Sequence, residues 1–343
     1  MPRFTLKSLV LAPFSILALS VLLAGCGSSS ADKGASLRAA WDMIPLAQAA
    51  QAGFPGAAST AVEASPAADG IADLQAGQCD PVILGRDPSP QEAQGLRDEV
   101  IGYDAVTIVI DQNSWKGGEW WVGDMPSRRT SGLRALTTAD IKGLFSFWTA
   151  QAGERWKWPG AATDPNNRWL EAWKAHYDET GQSVGQGWIS DDVAPIPFVF
   201  PQGKYDTQTA LYQILGLDEK AITDVAAARG LTAMNADTEE QVLGSQYSTQ
   251  ASGDFTFKVG FASWRTAKLA LQRLSVSIVS IDGIDPIANP QSVYDGTYPL
   301  SRRIHLLTGE NCVDTDGLAQ FLLSPEGQQV VQDAGYLPLP PKS

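Results

Sequence analysis

Histidine and cysteine are scarce in this chain, two and three among 343 residues. Neither His176 nor His305 has a His-x-x-x-His or Cys-x-x-Cys companion, so a zinc centre lacks ligands and no metal or other cofactor is expected. The Gly-x-Ser-x-Gly elbow and the P-loop are both missing, and no other catalytic signature replaces them, so no enzymatic activity is expected. Charge is sparse too, at 18% of residues, and tilted to one sign: 25 basic against 38 acidic, a net of −13. With no basic patch, such a chain repels nucleic acid and anionic surfaces. Beyond the N-terminus no apolar run approaches membrane length, and mean hydropathy is −0.11, which excludes a multi-span membrane protein. Internal repeats and heptads are also lacking. What is present is 44% hydrophobic residues over a length sufficient for two domains, each with its own core.

The first residues read as an export signal. Arg3 and Lys7 form a short positive region, and Leu9 to Leu23 an apolar one broken by Pro13. Leu23-Ala24-Gly25-Cys26 then resembles the lipobox of bacterial lipoproteins, in which the cysteine is acylated and becomes the first residue after cleavage. The expectation is therefore a signal peptide at 1–25, a lipid on Cys26, and a flexible tether at 26–33 through Ser28-Ser29-Ser30. The resemblance implies a lipid anchor in the cell envelope, facing the periplasm; in a Gram-negative host Gly27, standing where aspartate would retain a lipoprotein in the inner membrane, points to the outer membrane. Cys79 and Cys312 remain, an even pair in an oxidising compartment, and read as a disulfide or as two buried thiols.

Along the mature chain, strand-like and helix-like stretches alternate, which predicts an α/β layer fold with a ligand at the carboxyl ends of strands. Leu37, Trp41 and Ile44 share a helical face that Pro45 would stop or kink. Val82-Ile83-Leu84, Val106 to Ile110, Ile196 to Phe200 and Val276 to Ile281 read as buried strands. Thr138 is placed to cap a helix carrying Ile141, Leu144, Phe145 and Trp148. Near the end, Leu318, Phe321 and Leu322 form a helical face, and Ser324-Pro325 starts another helix with a cap and a proline in its first position.

Four segments, in order, resemble one family. Leu136-Thr137-Thr138-Ala139-Asp140-Ile141-Lys142-Gly143-Leu144-Phe145-Ser146 is similar to a helix of the phosphate-type periplasmic binding proteins. Ile281-Asp282-Gly283-Ile284-Asp285-Pro286 resembles their Ile-Asp-Gly-x-x-Pro turn, and Tyr298-Pro299-Leu300-Ser301-Arg302 their Tyr-Pro-Leu-Ser-Arg strand. Ala319 to Gln328, followed by Gly335-Tyr336-Leu337-Pro338-Leu339, resembles their closing helix and tail. The resemblance implies an α/β, two-lobe type 2 periplasmic-binding fold with two crossover segments, near Val106 to Gln112 and Phe255 to Ala262. Lobe 1 would comprise 34–107 and 260–343, and lobe 2 would be 108–259. Cys79 and Cys312 then fall in the same lobe.

The resemblance also implies a set of ligand residues. Gly34-Ala35-Ser36-Leu37 stands where relatives hold the anion at the start of the first helix, with Ser36 and Leu37 as contacts. Ser65, before Pro66, corresponds to the hydroxyl of a second loop, and Arg86-Asp87 to a third. Hydroxyls and N–H groups at helix N-termini suit an anion because they offer oriented donors without full counter-charge; the bland reading of Ser36 and Ser65 is that they are ordinary N-caps. The fourth element departs from the family pattern. Where relatives carry Arg and then Gly-Ser-Gly-Thr, this chain reads Pro201-Gln202-Gly203-Lys204-Tyr205-Asp206-Thr207. Thr207 survives, Tyr205 adds bulk, Asp206 adds a repelling charge, and Lys204 partly replaces the lost arginine without its bidentate fork.

A second departure is an apparent insertion in lobe 2, residues 149–195, holding five of the eleven tryptophans. It reads as a satellite core, with a stacking or partner surface as the other reading. Glu239-Glu240 and Asp191-Asp192 read as solvated loops, and His305 as a structural residue in an apolar strand. Two functions remain. One is a monomeric solute-binding lipoprotein that delivers a small oxyanion, phosphate by resemblance, to an ABC permease. The other is an interaction or sensing lipoprotein on the same scaffold, facing an envelope protein partner.

Overall fold

A single strand, β4 (Leu96–Asp111, 16 residues), organises the protein by pairing with different neighbours along its length. Its first part pairs antiparallel with β9 (Ser301–Gly309), from Leu96 opposite Gly309 to Ala105 opposite Ser301. Its last part pairs with β7 (Lys258–Ser263) on one side and β8 (Val276–Ile281) on the other. The partner change falls between Ala105 and Val106. The computed structural model describes residues 36–55, 61–111, 135–146, 149, 196–197, 199–200, 202–228, 239–241, 243, 258–274, 276–310, 312 and 316–340. The expected signal peptide and tether, Cys26, and the tryptophan-rich stretch at 150–195 lie outside the described residues.

The sheet order is β2-β1-β3-β9-β4-β7-β6, with β8 pairing β4 and β5. Here β1 is Leu37–Ala39, β2 Val62–Ala64, β3 Val82–Leu84, β5 Ala135–Leu136 and β6 Ile196–Pro197. Pairs β1–β2, β1–β3, β5–β8 and β6–β7 are parallel, the mark of α/β crossovers, while β3–β9 and the pairs of β4 are antiparallel.

Helix α1 (Ile44–Gly53) corrects one expectation. Leu37 belongs to strand β1 rather than to a helical face shared with Trp41 and Ile44, and Pro45 begins the helix instead of stopping it. A proline fits the first turn because its missing N–H would have no partner there anyway. Helix α2 is Ala67–Gln75. Helix α3 (Thr138–Phe145) is capped one residue earlier than expected: Thr137 and Asp140 form a reciprocal capping box. Helix α4 (Asp206–Leu215) ends at Gly216, whose φ of 62° suits a residue without a side chain. Then come α5 (Glu219–Ala228), α6 (Trp264–Arg273), α7 (Gln291–Tyr294) and α8 (Asp316–Leu323). Last is α9 (Pro325–Asp333), whose cap Ser324 accepts from the N–H of Gly327 as its sequence implies.

Two large cores draw on different stretches of β4. Val106 and Ile108 join Ile141, Leu144, Phe145, Phe200, Leu211 and Phe261, where Phe261 meets Phe145 and Phe200 edge-on at 5.6 and 5.3 Å. Ile101 instead joins Leu37, Met43, Leu46, Ile83, Leu306 and Leu322. Each such side chain contributes about 1.5–3 kcal/mol when fully buried. Cys79 and Cys312 form a disulfide across 233 residues, beside the β3–β9 pair.

Candidate functional site

The N-terminus of α4 points its first N–H groups at a side chain 164 residues earlier in the chain. Tyr205, the residue before the helix, makes no side-chain cap. Asp42, in the turn between β1 and α1, supplies the acceptor instead. Its carboxylate accepts from the N–H of Asp206 at 3.0 Å, the N–H of Thr207 at 2.9 Å and the Thr207 hydroxyl at 2.7 Å. Arg302, from β9, adds Nη1 and Nη2 at 3.3 Å each. The same guanidinium donates to the Thr207 oxygen at 2.9 Å and holds Asp104 of β4 through Nε at 3.1 Å and through Nη2. Asp104 in turn accepts from the N–H of Trp264 at 2.9 Å. Asp42, Asp104, Thr207 and Arg302 are all buried.

A reciprocal contact runs the other way. Asp206 sends its carboxylate back to the turn after β3, accepting from the Gly85 N–H at 2.7 Å and lying 3.6 Å from Nε of Arg86. Arg86 is otherwise committed to a two-pronged pair with Glu92 at 2.9 and 2.5 Å. Burial and the neighbouring Asp42 charge push Asp206 up to about 7, against the pull of Arg86. For Glu92 burial works upward, but the hydrogen bonds from Arg86 and from Ser89 prevail and bring it down to about 2. Burial also raises Asp104, with Arg302 opposing, and raises Glu239, with Asp42 reinforcing the shift. Burial alone would lower Arg302, yet Asp104, Asp42 and Glu239 hold it above its ordinary value. Four buried carboxylates, Asp42, Asp104, Asp206 and Glu239, thus face Arg302 and the partly committed Arg86.

Chemically, two amides, a hydroxyl and a guanidinium converge on one oxyanion position, and a carboxylate of the chain fills it. Among the described residues, no group of three or more His, Cys, Asp or Glu could hold a metal ion. No helix there is long and apolar enough to cross a membrane.

The sequence matches the PBP superfamily domain over residues 27–326. The chain belongs to the PBP superfamily. No curated protein matches it by sequence. Among solved structures, an ABC-type phosphate transport receptor from Vibrio cholerae is similar at 16% identity and a TM-score of 0.60, over 89% of this chain and 99% of that one. A substrate-binding protein from Clostridium perfringens, provisionally assigned to phosphate ABC transport and holding bound phosphate, is similar at 17% identity and 0.53, again over 89% and 99%. These likenesses establish the two-lobe type 2 periplasmic-binding fold.

Within this PBP fold, the residues expected to bind ligand divide into two groups. Arg86, Asp206 and Thr207 meet in the buried cluster. Tyr205 and Lys204 border it: the Tyr205 ring packs on Phe200 at 4.8 Å, and the Lys204 ammonium lies 5.2 Å from the Trp41 ring. Ser65 joins β2 to α2, its N–H bonding to the carbonyl of Ala39 at the end of β1 that leads to Asp42. Its follower Pro66 is the N-cap position of α2, one residue before the first helical position expected for it. Ser36 and Leu37 lie at the other end of β1, where Ser36 donates its N–H to Asp80 at 2.7 Å and Leu37 is buried in the core. The turn before the first helix is Ala40–Met43, and Asp42 stands in it. Asp87 is drawn away by Nε2 of His305 and Nε of Arg303, each at 2.9 Å. Those two residues alternate with Arg302 along β9 and so face the opposite side.

Asp42 and Asp104 were not singled out by sequence, and Glu239 and Arg302 were read there without a place in the site. Arg302 closes the Tyr-Pro-Leu-Ser-Arg motif, which was the available signal. Glu239 corrects an expectation. Rather than a solvated loop residue it is buried, accepting the Ser263 hydroxyl at 2.6 Å and the Ser263 N–H at 3.1 Å, while Glu240 pairs with Arg265 at 2.8 Å. His305 lies in β9, buried and in contact with Asp98 and Asp87.

Proposed function

We propose that this protein is an extracytoplasmic solute-binding lipoprotein of the phosphate type. It is anchored through Cys26, acts by binding rather than catalysis, and hands a small inorganic oxyanion to an ABC permease. Its lobes are 34–107 with 260–343, and 108–259. The observation that carries this reading is the donor set at the start of α4. The N–H groups of Asp206 and Thr207, the Thr207 hydroxyl and the Arg302 guanidinium all point at one position and already hold an oxyanion, the Asp42 carboxylate. Phosphate-type relatives at matching fold and coverage support phosphate as the ligand.

A second reading, an interaction or sensing lipoprotein, is favoured by one observation: that same carboxylate satisfies the donors without any ligand. A thermal-shift panel on the mature protein separates the two. A ligand that binds only the folded state raises the melting temperature by an amount that grows with concentration over Kd. Phosphate or sulfate at high millimolar concentration should raise it, and Thr207→Val should abolish the rise. No shift with any oxyanion would leave the interaction reading.

A further inference from the structure

Asp42 makes the contacts that the ligand of this site would make. One carboxylate takes two amides, a hydroxyl and both terminal nitrogens of a guanidinium, with distances between 2.7 and 3.3 Å. Its own backbone is tied down. The Asp42 carbonyl accepts the Tyr336 hydroxyl at 2.6 Å, and the following N–H, of Met43, bonds back to Ala40 at 2.9 Å. The side chain is therefore presented to α4 from a fixed turn, at an effective concentration that a free anion does not match.

We infer that Asp42 is an intramolecular ligand: its carboxylate occupies the oxyanion position at the start of α4 and sets how weakly inorganic phosphate binds. This rests on the oxyanion reading of the site given above. Phosphate and the Asp42 carboxylate compete for the same five donors, so the two anions cannot occupy the position together. Phosphate must displace Asp42, so its apparent affinity is the intrinsic one multiplied by the small fraction of molecules with the position open. Asp206 reinforces this from the other side by engaging Gly85 N–H, so each side of the cluster caps donors of the other.

Calorimetric titration of the mature protein with inorganic phosphate tests the inference. Asp42→Ala and Asp42→Ser both remove the carboxylate; serine retains a polar group on the turn and carries the test where alanine does not fold, as judged by circular dichroism. Both variants should bind phosphate at least about a hundredfold more tightly than wild type, and adding Thr207→Val should remove the gain. Phosphate should raise the melting temperature of the variants far more than that of wild type, a rescue that a merely structural Asp42 would not produce. Wild type binding phosphate as tightly as the variants, or more tightly, overturns the role of Asp42 and leaves the oxyanion reading standing. Folded variants and wild type that all ignore both phosphate and sulfate overturn the two together.

Discussion

Thr207 donates to Asp42 twice, through its N–H at 2.9 Å and its hydroxyl at 2.7 Å, although 165 residues separate them. The helix start that suits an anion thus holds one belonging to the chain. Arg302 closes the arrangement by touching both residues and Asp104 together.

Arg302 should be the least replaceable residue of the cluster. Its removal leaves Asp42 and Asp104 buried without their counter-charge, and breaking a buried pair of this kind costs about 3–5 kcal/mol. Urea unfolding of Arg302→Gln should show that loss. Arg302→Lys should recover part of it, because lysine keeps the charge but cannot reach both carboxylates with a planar fork. A change within error for Arg302→Gln would mean the cluster contributes little to stability.

Stability should depend on pH through Asp206, with a definite sign. Its folded value is about 7 against an ordinary 3.8, so between these limits the folded state holds the extra proton. Its contribution is full below about pH 4 and is lost as pH rises to about 7, at up to about 1.4 kcal/mol per pH unit. Asp42, Arg86 and Arg302 are the charged groups that face it. Asp206→Asn should flatten that stretch in a urea series across pH. The acid limb should remain, because Glu92 runs oppositely: lowered from 4.5 to about 2, it stabilises above about 4.5 and that gain disappears as pH falls toward 2. An unchanged slope between pH 4 and 7 in Asp206→Asn would refute the assignment.

Opening the disulfide should cost about 2–4 kcal/mol, since it closes a long loop in the unfolded chain. The double change Cys79→Ser with Cys312→Ser should lower the urea midpoint accordingly. Non-reducing mass analysis of exported protein should find it lighter by a pair of hydrogens than the reduced form; two freely alkylated thiols would contradict the bond.

Anchoring should follow Cys26. Cys26→Ser should leave protein without acyl label and out of the membrane fraction, because the thiol is the acylation site in this reading. Equal labelling of variant and wild type would remove the lipoprotein claim.

The sequence carried strong local signals and weak distant ones. Strand β3, strand β8 and the Ser324-Pro325 start of α9 were legible because each depends on neighbouring residues: a short apolar run or a cap. At the site, Thr207, Asp206 and Arg86 were reached through the family resemblance rather than through local spacing, and the structure brings these three together. Asp42 was hidden because Leu37, Trp41 and Ile44 imitate helical spacing, so strand and turn were read as helix, while the family resemblance pointed to Ser36 for the anion contact. Asp87 was misplaced for another reason. Its direction is set by His305 and Arg303, more than two hundred residues away, and a one-residue alternation on β9 decides which face it meets. The Asp42–Arg302–Asp104 contacts join three strands or turns through sheet pairing, which no local spacing encodes.

A crystal structure of Asp42→Ala grown with phosphate decides whether the Asp42 carboxylate holds the anion position. Phosphate should lie on the N–H groups of Asp206 and Thr207, touching the Thr207 hydroxyl and Arg302, where the Asp42 carboxylate lies in the wild type. Phosphate bound elsewhere, or those donors capped again by another carboxylate of the chain, would contradict it.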